Sequence, residues 1–236
     1  MAVKRLRERQ AEATRQQLID VARQLFTERG YSGTSIEDII ERAGVARGAL
    51  YHHFPGKGAL FAAVYQVVQA EVASAVVAAA LTADDPAQAV YTGLSAFLDA
   101  CLEPEFRQIV VLDSVPVLQR QAWEDDSSEH SEHAEHSELD MLGQVLAPLA
   151  AAYLSGLDME ALAHVALGGL YGAALYIARS PEPAAARAAA DVVLGTLITG
   201  LRSGASAAAS RPARHQEPRP RARDSERAGA SLVEEL

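Results

Sequence analysis

The stretch that decides the fold is residues 44–57, which read GVARGALYHHFPGK. Gly44 ends one predicted helix, and a short helix begins near Ala46 with Leu50 and Phe54 about one turn apart on the same side. The Pro-Gly pair that follows interrupts this helix, because proline lacks the backbone donor that a helix interior needs. The pattern predicts a compact helix between two turns.

Two further helices are predicted upstream of this stretch. The first runs from about Thr14 to Gly30 and carries an apolar stripe at helical spacing, made of Leu18, Val21, Ala22, Leu25 and Phe26. The second starts at a capping-box pattern, in which Thr34 is expected to cap the amide of Glu37. Its buried face consists of Ile36, Ile39, Ile40 and Ala43. Three short helices with glycine at the tight turn indicate a helix-turn-helix, and a fourth helix opens at Lys57.

The helix after Gly44 has the surface that a major-groove helix needs. Leu50 and Phe54 form its buried edge, while Arg47, Tyr51 and His52 form a polar edge. An arginine can bond guanine through two parallel hydrogen bonds, and a tyrosine ring can contact a thymine methyl group. This pattern predicts binding to double-stranded DNA.

Residues 44–57, with the helices that precede them, resemble the signature of the TetR/AcrR family of bacterial regulators over about 50 residues. The resemblance implies that Arg47, Gly48 and Tyr51 read bases. It also implies that phosphates are held by the hydroxyl of Ser35 or Thr34 and by His52, His53 and Lys57. Two positions depart from the family pattern: Ala46 stands where a Ser or Thr cap is expected, and Gly58 stands where an acidic residue is common.

The net charge of −10 is unevenly distributed. Residues 1–58 carry ten Lys and Arg against seven Asp and Glu, whereas residues 59–201 carry four against nineteen. A basic N-terminal part attracts phosphates and an acidic remainder is repelled by them, so DNA is expected to meet the N-terminal part. An N-terminal basic arm, formed by Lys4, Arg5, Arg7 and Arg9, either reaches a minor groove or stays solvated.

The rest of the chain is rich in Ala, Leu and Val and predicts an all-α fold without a convincing strand. Helices are expected at about 59–80, 86–101, 104–122, 138–154, 158–179 and 183–202. The expected organisation is a helix-turn-helix DNA-binding domain at 11–71, a helical regulatory and dimerisation domain at 72–203 and a disordered tail at 204–236. The single cysteine, Cys101, is interpreted as a small buried hydrophobe in a reducing cytoplasm. No leader peptide, membrane segment or cofactor is predicted.

A DNA operator with two-fold symmetry needs two DNA-binding units, so a homodimer is expected. The last two helices are candidates for the interface, because Gly168, Gly169, Gly172, Ala173 and Ala174, and the run 184–190 with Gly195, allow close approach. Ordinary packing within one chain is the alternative. The resemblance also implies a pocket for an unidentified small-molecule effector, neutral or cationic because Lys and Arg are scarce. Its candidate lining is Tyr91, Phe97, Cys101, Phe106, Leu112, Trp123, Tyr171 and Tyr176.

Residues 128–138 repeat Glu-His followed by a small residue. Two of His130, His133 and His136 could share a zinc or nickel ion with a glutamate, or the three could titrate near pH 6.5. A solvated acidic loop that binds no metal is the preferred interpretation, because nothing apolar would bury it.

The function predicted from the sequence is a DNA-binding transcriptional repressor of the bacterial cytoplasm, released from its operator by a small molecule. The alternative is a helical dimer that binds another protein without specific DNA binding. An enzyme is not predicted, because no nucleophile and base stand at a recognisable spacing.

Overall fold

The computed structural model describes residues 2–114, 116–118, 142–143, 145–152 and 158–209. Across these ranges the chain is helical and contains no strand, as predicted. The helices are α1 (Ala2–Arg29), α2 (Ile36–Ala43), α3 (Arg47–His53), α4 (Lys57–Ala80), α5 (Pro86–Ala100), α6 (Pro104–Phe106), α7 (Met159–Arg179) and α8 (Pro183–Ala209). Helix α6 continues as a π-helical segment, Arg107–Asp113, and residues 145–152 are also helical.

The first three helices pack around one apolar core, and α2 and α3 form a helix-turn-helix within this unit. Leu18, Phe26, Ile39 and Leu50 are fully buried there, and Phe61 of α4 meets Phe26 edge-to-face. These residues are the apolar stripes that the sequence predicted, now facing one another. We refer to α1–α3 and the start of α4 as the head.

Glycines end α1 and α2, as the sequence predicted. Gly30 has φ of 70° and Gly44 has φ of 65°, backbone conformations that other residues rarely adopt. The amide of Gly44 donates to the carbonyl oxygens of Ile40 and Glu41, which satisfies two groups at the end of α2.

Two predicted helix starts are wrong. Helix α1 begins at Ala2 rather than near Thr14, so the basic residues predicted as an arm belong to its first turns. Helix α2 is capped by Ser35 and not by Thr34. The Ser35 hydroxyl accepts from the Asp38 amide at 3.0 Å, and the Ser35 amide donates to the Asp38 carboxylate at 2.9 Å.

Helix α4 crosses from the head into the rest of the chain without a break, passing the domain boundary expected at residue 71. It packs along α5, and α5 packs against α8. The π-helical segment contacts α1, α4 and α7, so it lies between the head and the C-terminal helices. We refer to the helices beyond the head as the body.

The head and the body are joined by an ion cluster centred on Arg23 of α1. Its guanidinium bonds Glu71 of α4 and Glu105 of α6, each at 2.5–2.8 Å. Beside the cluster, the Tyr31 amide donates to the Asp113 carboxylate at 2.8 Å. Displacement of α6 or of the π-helical segment would therefore strain contacts at the end of α1.

We expect Arg23→Met to destabilise the fold by about 1–2 kcal/mol after allowance for solvent screening, because it leaves two neighbouring carboxylates without their shared cation. Arg23 lowers the pKa of Glu71 in the folded protein. A lowered carboxylate pKa contributes stability at neutral pH that is lost as the pH falls through it, so the gap between wild type and variant should narrow below about pH 4. Urea unfolding at pH 7 and pH 3.5 measures both quantities.

Arg29→Met is the matched control, because the Arg29–Asp38 pair is longer, at 3.4 Å, and more exposed. A loss of stability equal to that of Arg23→Met, or one that does not change with pH, would contradict the role of the cluster.

Three helices are long and apolar enough to cross a membrane when only length and composition are counted: α4, α7 and α8 up to Ser203. None contains about 18 uninterrupted apolar residues, the run that is typical of a membrane span. Helix α4 is apolar on several sides because it packs between other elements, with Leu60, Phe61, Val64, Tyr65, Val68 and Val76 buried. Composition of this kind is typical of a helix enclosed by its neighbours.

Candidate nucleic-acid interface and internal cavity

Helix α3 presents one edge to the core and the other to solvent. Leu50 is fully buried and Phe54, its C-cap, is 4% exposed, whereas Arg47, Gly48, Tyr51 and His52 are exposed. We call these four exposed residues the recognition edge. The structure thus brings together the three residues that the sequence predicted to read bases, on a helix that begins at Ala46 without a side-chain cap.

Arg47 is held over the recognition edge by two neighbours. Its guanidinium makes an ion pair with Glu37 of α2 at 2.8 Å and lies 5.9 Å from the centre of the Tyr51 ring. A hydrogen bond with the Tyr51 side chain and the charge of Glu37 both raise the pKa of Arg47. The Arg47 guanidinium is therefore charged and exposed to solvent. A base or phosphate must compete with Glu37 for it.

Of the two hydroxyls predicted to hold a phosphate, only that of Ser35 is exposed. Thr34 is 2% exposed, and its hydroxyl donates to the carbonyl oxygen of Gly30 at 2.9 Å. The carbonyl oxygen of Leu25 also accepts from this hydroxyl, at 3.2 Å. In this conformation Ser35, and not Thr34, therefore presents its hydroxyl for the predicted phosphate contact. Ser35 also bonds Asp38, and those bonds lower the pKa of the Asp38 carboxyl.

Lys57 lies at the start of α4, as predicted, but its ammonium points back into the head. It donates to the carbonyl oxygens of Tyr31 and Thr34, both at 2.9 Å, and lies 4.0 Å from the centre of the Tyr31 ring. Partial burial lowers its pKa, and the charge of Asp113 opposes that shift. Lys57 therefore secures the loop between α1 and α2 in this conformation, where the sequence predicted a phosphate contact.

The remaining basic candidates are the histidines of α3 and the arginines near the start of α1. His52 is exposed, His53 is half-buried, and their rings meet edge-to-face at 5.2 Å. Arg5, Arg7 and Arg9 are exposed along the first turns of α1. They extend the positive charge of the head away from its core.

A cavity of about 60 Å³ lies in the body, between α4, α5, α6 with its π-helical segment, residues 142–152 and α7. That is room for several water-sized groups, since about 10–15 Å³ holds one. Its wall is almost wholly apolar. Helix α4 contributes Gln69, Val72, Ala73 and Val76. The other elements contribute aromatic rings and branched side chains, among them Leu94, Val110, Leu142, Leu167 and Leu170.

Three of the residues predicted to line a pocket do so: Phe97, Phe106 and Tyr171. Trp123 lies outside the described residues. The others are elsewhere: Cys101 is fully buried in the core, Tyr176 is 59% exposed and Leu112 is not in the wall. Tyr91 instead donates to the Asp191 carboxylate of α8 at 2.9 Å.

The buried thiol of Cys101 fits its interpretation as a small hydrophobe, because burial raises its pKa to about 12. The contribution of α4 to the cavity was missed. The spacing of residues 69, 72, 73 and 76 is a helical stripe, but such a stripe is equally typical of core.

Helices α7 and α8 carry a continuous exposed apolar strip. Val165, Tyr176, Val192, Val193 and Leu197 are each 59–75% exposed. Between them, a Cβ atom added at Gly168, Gly169 or Gly172 would meet no atom within 4 Å. We call this strip the α7–α8 face.

A polar cluster fixes α8 against α5 behind this face. Arg187 bonds Asp99 at 2.8 Å, Ser95 at 2.6 Å and Asp191 at 3.2 Å. These contacts determine which side of α8 is turned outward.

Within the described ranges, no group of three or more His, Cys, Asp or Glu side chains is placed to hold a metal ion. The repeat with His130, His133 and His136 and residues 210–236 of the predicted tail lie outside the described residues, so the predictions for them stay predictions. Residues 204–209, the start of the predicted disordered tail at 204–236, belong instead to helix α8.

Comparisons with known proteins match both parts of the chain. The family model described as bacterial regulatory proteins, tetR family, matches residues 18–64, and the model described as tetracyclin repressor-like, C-terminal domain, matches residues 87–201. The transcriptional regulator AcrR of Shigella flexneri is 41% identical over 63 residues, which are 27% of this chain and 29% of AcrR. The chain therefore aligns with less than a third of that relative's length.

Two solved structures show the likeness over about four fifths of this chain. A TetR-family transcriptional regulator from Pectobacterium atrosepticum is 33% identical with a TM-score of 0.69, covering 82% of this chain and 96% of that one. The transcriptional regulator FadR from Bacillus subtilis, solved in complex with stearoyl-CoA, is 16% identical with a TM-score of 0.59, covering 80% and 98%. The second likeness concerns the fold alone.

Proposed function

Because this chain belongs to the TetR family of bacterial regulatory proteins, we propose that it binds a specific operator as a homodimer and represses transcription until a small-molecule effector releases it. The observation that carries the proposal is the recognition edge. Arg47, Gly48 and Tyr51 are exposed side by side on the second helix of a helix-turn-helix. We keep residues 11–71 as the DNA-binding domain and 72–203 as the regulatory and dimerisation domain.

The chemistry of the recognition edge suits direct reading of bases. Arg47 can donate two parallel hydrogen bonds to guanine, and Tyr51 can offer its ring to a thymine methyl group. The missing side chain of Gly48 lets the backbone approach the groove. Ser35 and His52 are exposed on either side, where they can bond phosphates and fix the register.

The α7–α8 face supports the homodimer. An exposed apolar strip of this length is unfavourable in water, and glycines within it leave room for a partner helix. Because a two-fold axis pairs the same patch with itself, α7 and α8 of two chains would form one bundle and set the spacing of two heads. Burial in this bundle also explains the apolar composition of α7 and α8, which are two of the three helices that are long and apolar enough to cross a membrane.

The route from effector to head runs through α6 and its π-helical segment. Phe106 and Val110 line the cavity, while Glu105 bonds Arg23 and Asp113 bonds the Tyr31 amide on the opposite side. A molecule that enlarges the cavity would shift this segment and with it the end of α1. Operator affinity would fall because two heads no longer match the half-site spacing.

The test is a mobility shift of the full chain with the DNA that flanks its own gene. We expect a complex that survives a large excess of unrelated duplex and weakens steeply with salt, since phosphate contacts release counterions. A complex that unrelated DNA competes away equally well, or no complex, would contradict the proposal.

We expect Glu37→Gln to tighten operator binding by about two- to five-fold and binding to unrelated DNA by no more than that, because the operator contact requires Arg47 to leave this carboxylate. The ratio of the operator affinity to the affinity for unrelated DNA should stay equal or rise. Fluorescence anisotropy with labelled duplexes measures both affinities.

Glu41→Gln is the control, since Glu41 is exposed on the same helix and forms no ion pair within the described ranges. It removes the same charge, so an equal gain in affinity from Glu41→Gln would show that net charge, and not the pairing with Arg47, limits binding.

A further inference from the structure

We propose that the effector is an uncharged, largely apolar small molecule with at most one or two hydrogen-bonding groups; this rests on the proposed function, in which the body cavity is the effector site. No charged side chain is among the described residues that line the cavity. Its polar side chains there are Gln69 on α4 and Tyr171 on α7. The described part of the wall therefore carries an amide and a phenol but no counter-ion.

A charged ligand would lose most of its hydration in such a cavity. Transfer of an ion into apolar surroundings is unfavourable unless a partner of opposite charge replaces the water. For anions the body adds a second penalty, because residues 59–201 carry nineteen acidic against four basic residues. The loss of hydration disfavours both kinds of ion and the acidic body disfavours anions further, so the neutral molecule is favoured over the cationic one that the sequence also allowed.

The cations of the described part of the body do not compensate. Arg187 is engaged by Asp99, Ser95 and Asp191 between α5 and α8, and neither Arg107 nor Arg179 belongs to the cavity wall. A ligand that carries phosphates, such as the stearoyl-CoA bound to the Bacillus subtilis regulator, would need cations at its headgroup. This chain is therefore expected to differ from that regulator in effector class.

The shape of the wall indicates what the neutral molecule contains. Phe97 and Phe106 meet edge-to-face at 5.7 Å and 88°, and both rings line the cavity, which gives it an aromatic side. Leu94, Leu167 and Leu170 supply an aliphatic side. An amide and a phenol can each take part in more than one hydrogen bond, so Gln69 and Tyr171 can bond a hydroxyl or carbonyl group of the ligand in addition to the contacts that they already make.

The experiment titrates the full chain, free of DNA, with three probes that share an eight-carbon chain: 1-octanol, octanoate and octyltrimethylammonium. Isothermal titration calorimetry gives the dissociation constants. We expect 1-octanol to bind at least about 10-fold more tightly than either ion, because only the ions bring an uncompensated charge into the cavity.

Two cavity-filling variants locate the binding. Ala73→Leu and Val72→Phe each add side-chain volume at the cavity wall, so we expect either one to weaken the binding of 1-octanol at least about 10-fold. Ala75→Leu is the matched control, because Ala75 lies on α4 but is exposed. Thermal unfolding of each variant identifies those that are folded, and only folded variants are compared.

The proposal would be overturned if octanoate or octyltrimethylammonium bound as tightly as 1-octanol and if Ala73→Leu weakened that binding. Failure of all three probes to bind would overturn it too. Operator binding by the same preparation distinguishes these outcomes from failure of the proposed function, since a chain that binds its operator but no neutral probe remains a DNA-binding regulator with another effector class.

Discussion

Replacement of Arg47 by alanine is expected to weaken operator binding by about 5- to 150-fold for each of the two half-sites while it leaves the fold intact. One bidentate contact between arginine and guanine contributes discrimination of that order. Arg47 is exposed and its side chain contacts only Glu37 and Tyr51 in the described structure, so its removal leaves no cavity. Because the lost contact is to a base, affinity for unrelated DNA should fall much less. Anisotropy titrations with operator and scrambled duplexes measure the ratio.

Arg42→Ala is the control for charge. Arg42 is exposed in the last turn of α2 and pairs with Glu28 at 3.1 Å, away from the recognition edge. Its removal subtracts the same charge, and any effect should be uniform across sequences. If Arg42→Ala and Arg47→Ala lower both affinities alike, Arg47 acts only as a surface charge and the proposed reading of bases is wrong.

Introduction of a carboxylate on the α7–α8 face should have the second large effect. Val193 is 59% exposed in the single chain and would be buried in the proposed bundle. Val193→Asp places two charges near the two-fold axis, which is strongly unfavourable away from water. We expect a monomer at micromolar concentration by light scattering. We also expect operator binding to weaken by at least about 100-fold, because two linked heads gain that much over one.

Val77→Asp is the matched control, because Val77 is an exposed valine, 37% accessible, on α4. It should leave both the mass and operator binding near those of the wild type. A Val193→Asp protein that remains dimeric would place the interface elsewhere, and a monomer that binds operator as tightly as the wild type would remove the need for two heads.

The head could be predicted from sequence because its signals are local. Glycines at residues 30 and 44 end helices through their positive φ, and the stripe from Leu18 to Phe26 marks a buried face directly. The choice between Thr34 and Ser35 as the cap could not be made the same way, since either residue type can cap a helix. Tertiary structure decides it: Thr34 is buried beneath the end of α1, which leaves Ser35 to cap α2.

The start of α1 at Ala2 could not be predicted from the apolar pattern either. Residues 5–13 carry no apolar stripe, so the helical period that located Leu18 has nothing to mark there. Alanine, arginine, glutamine and glutamate are good helix formers, and propensity extends the helix without burial. The basic arm is therefore a helical extension with exposed arginines.

The cavity was the least predictable part. Tyr91 and Phe97 lie on the same helix, yet one side chain bonds Asp191 of α8 and the other lines the cavity. Which helix an aromatic side chain meets depends on tertiary packing and has no signature in one sequence. The same is true of Lys57, whose place at the start of α4 was predicted but whose partners, two carbonyl oxygens of the preceding loop, were not.

The central claim is that two copies of the recognition edge read a defined DNA sequence, and selection of duplexes from a random pool by the full chain tests it most directly. The enriched sequence is predicted to be an inverted repeat whose half-sites lie one helical turn, or a multiple of it, apart, with an even number of chains per duplex. The Arg47→Ala, Tyr51→Ala double variant is predicted to lose the enrichment. A pool that shows no enriched sequence, or enrichment that the double variant preserves, would contradict the account.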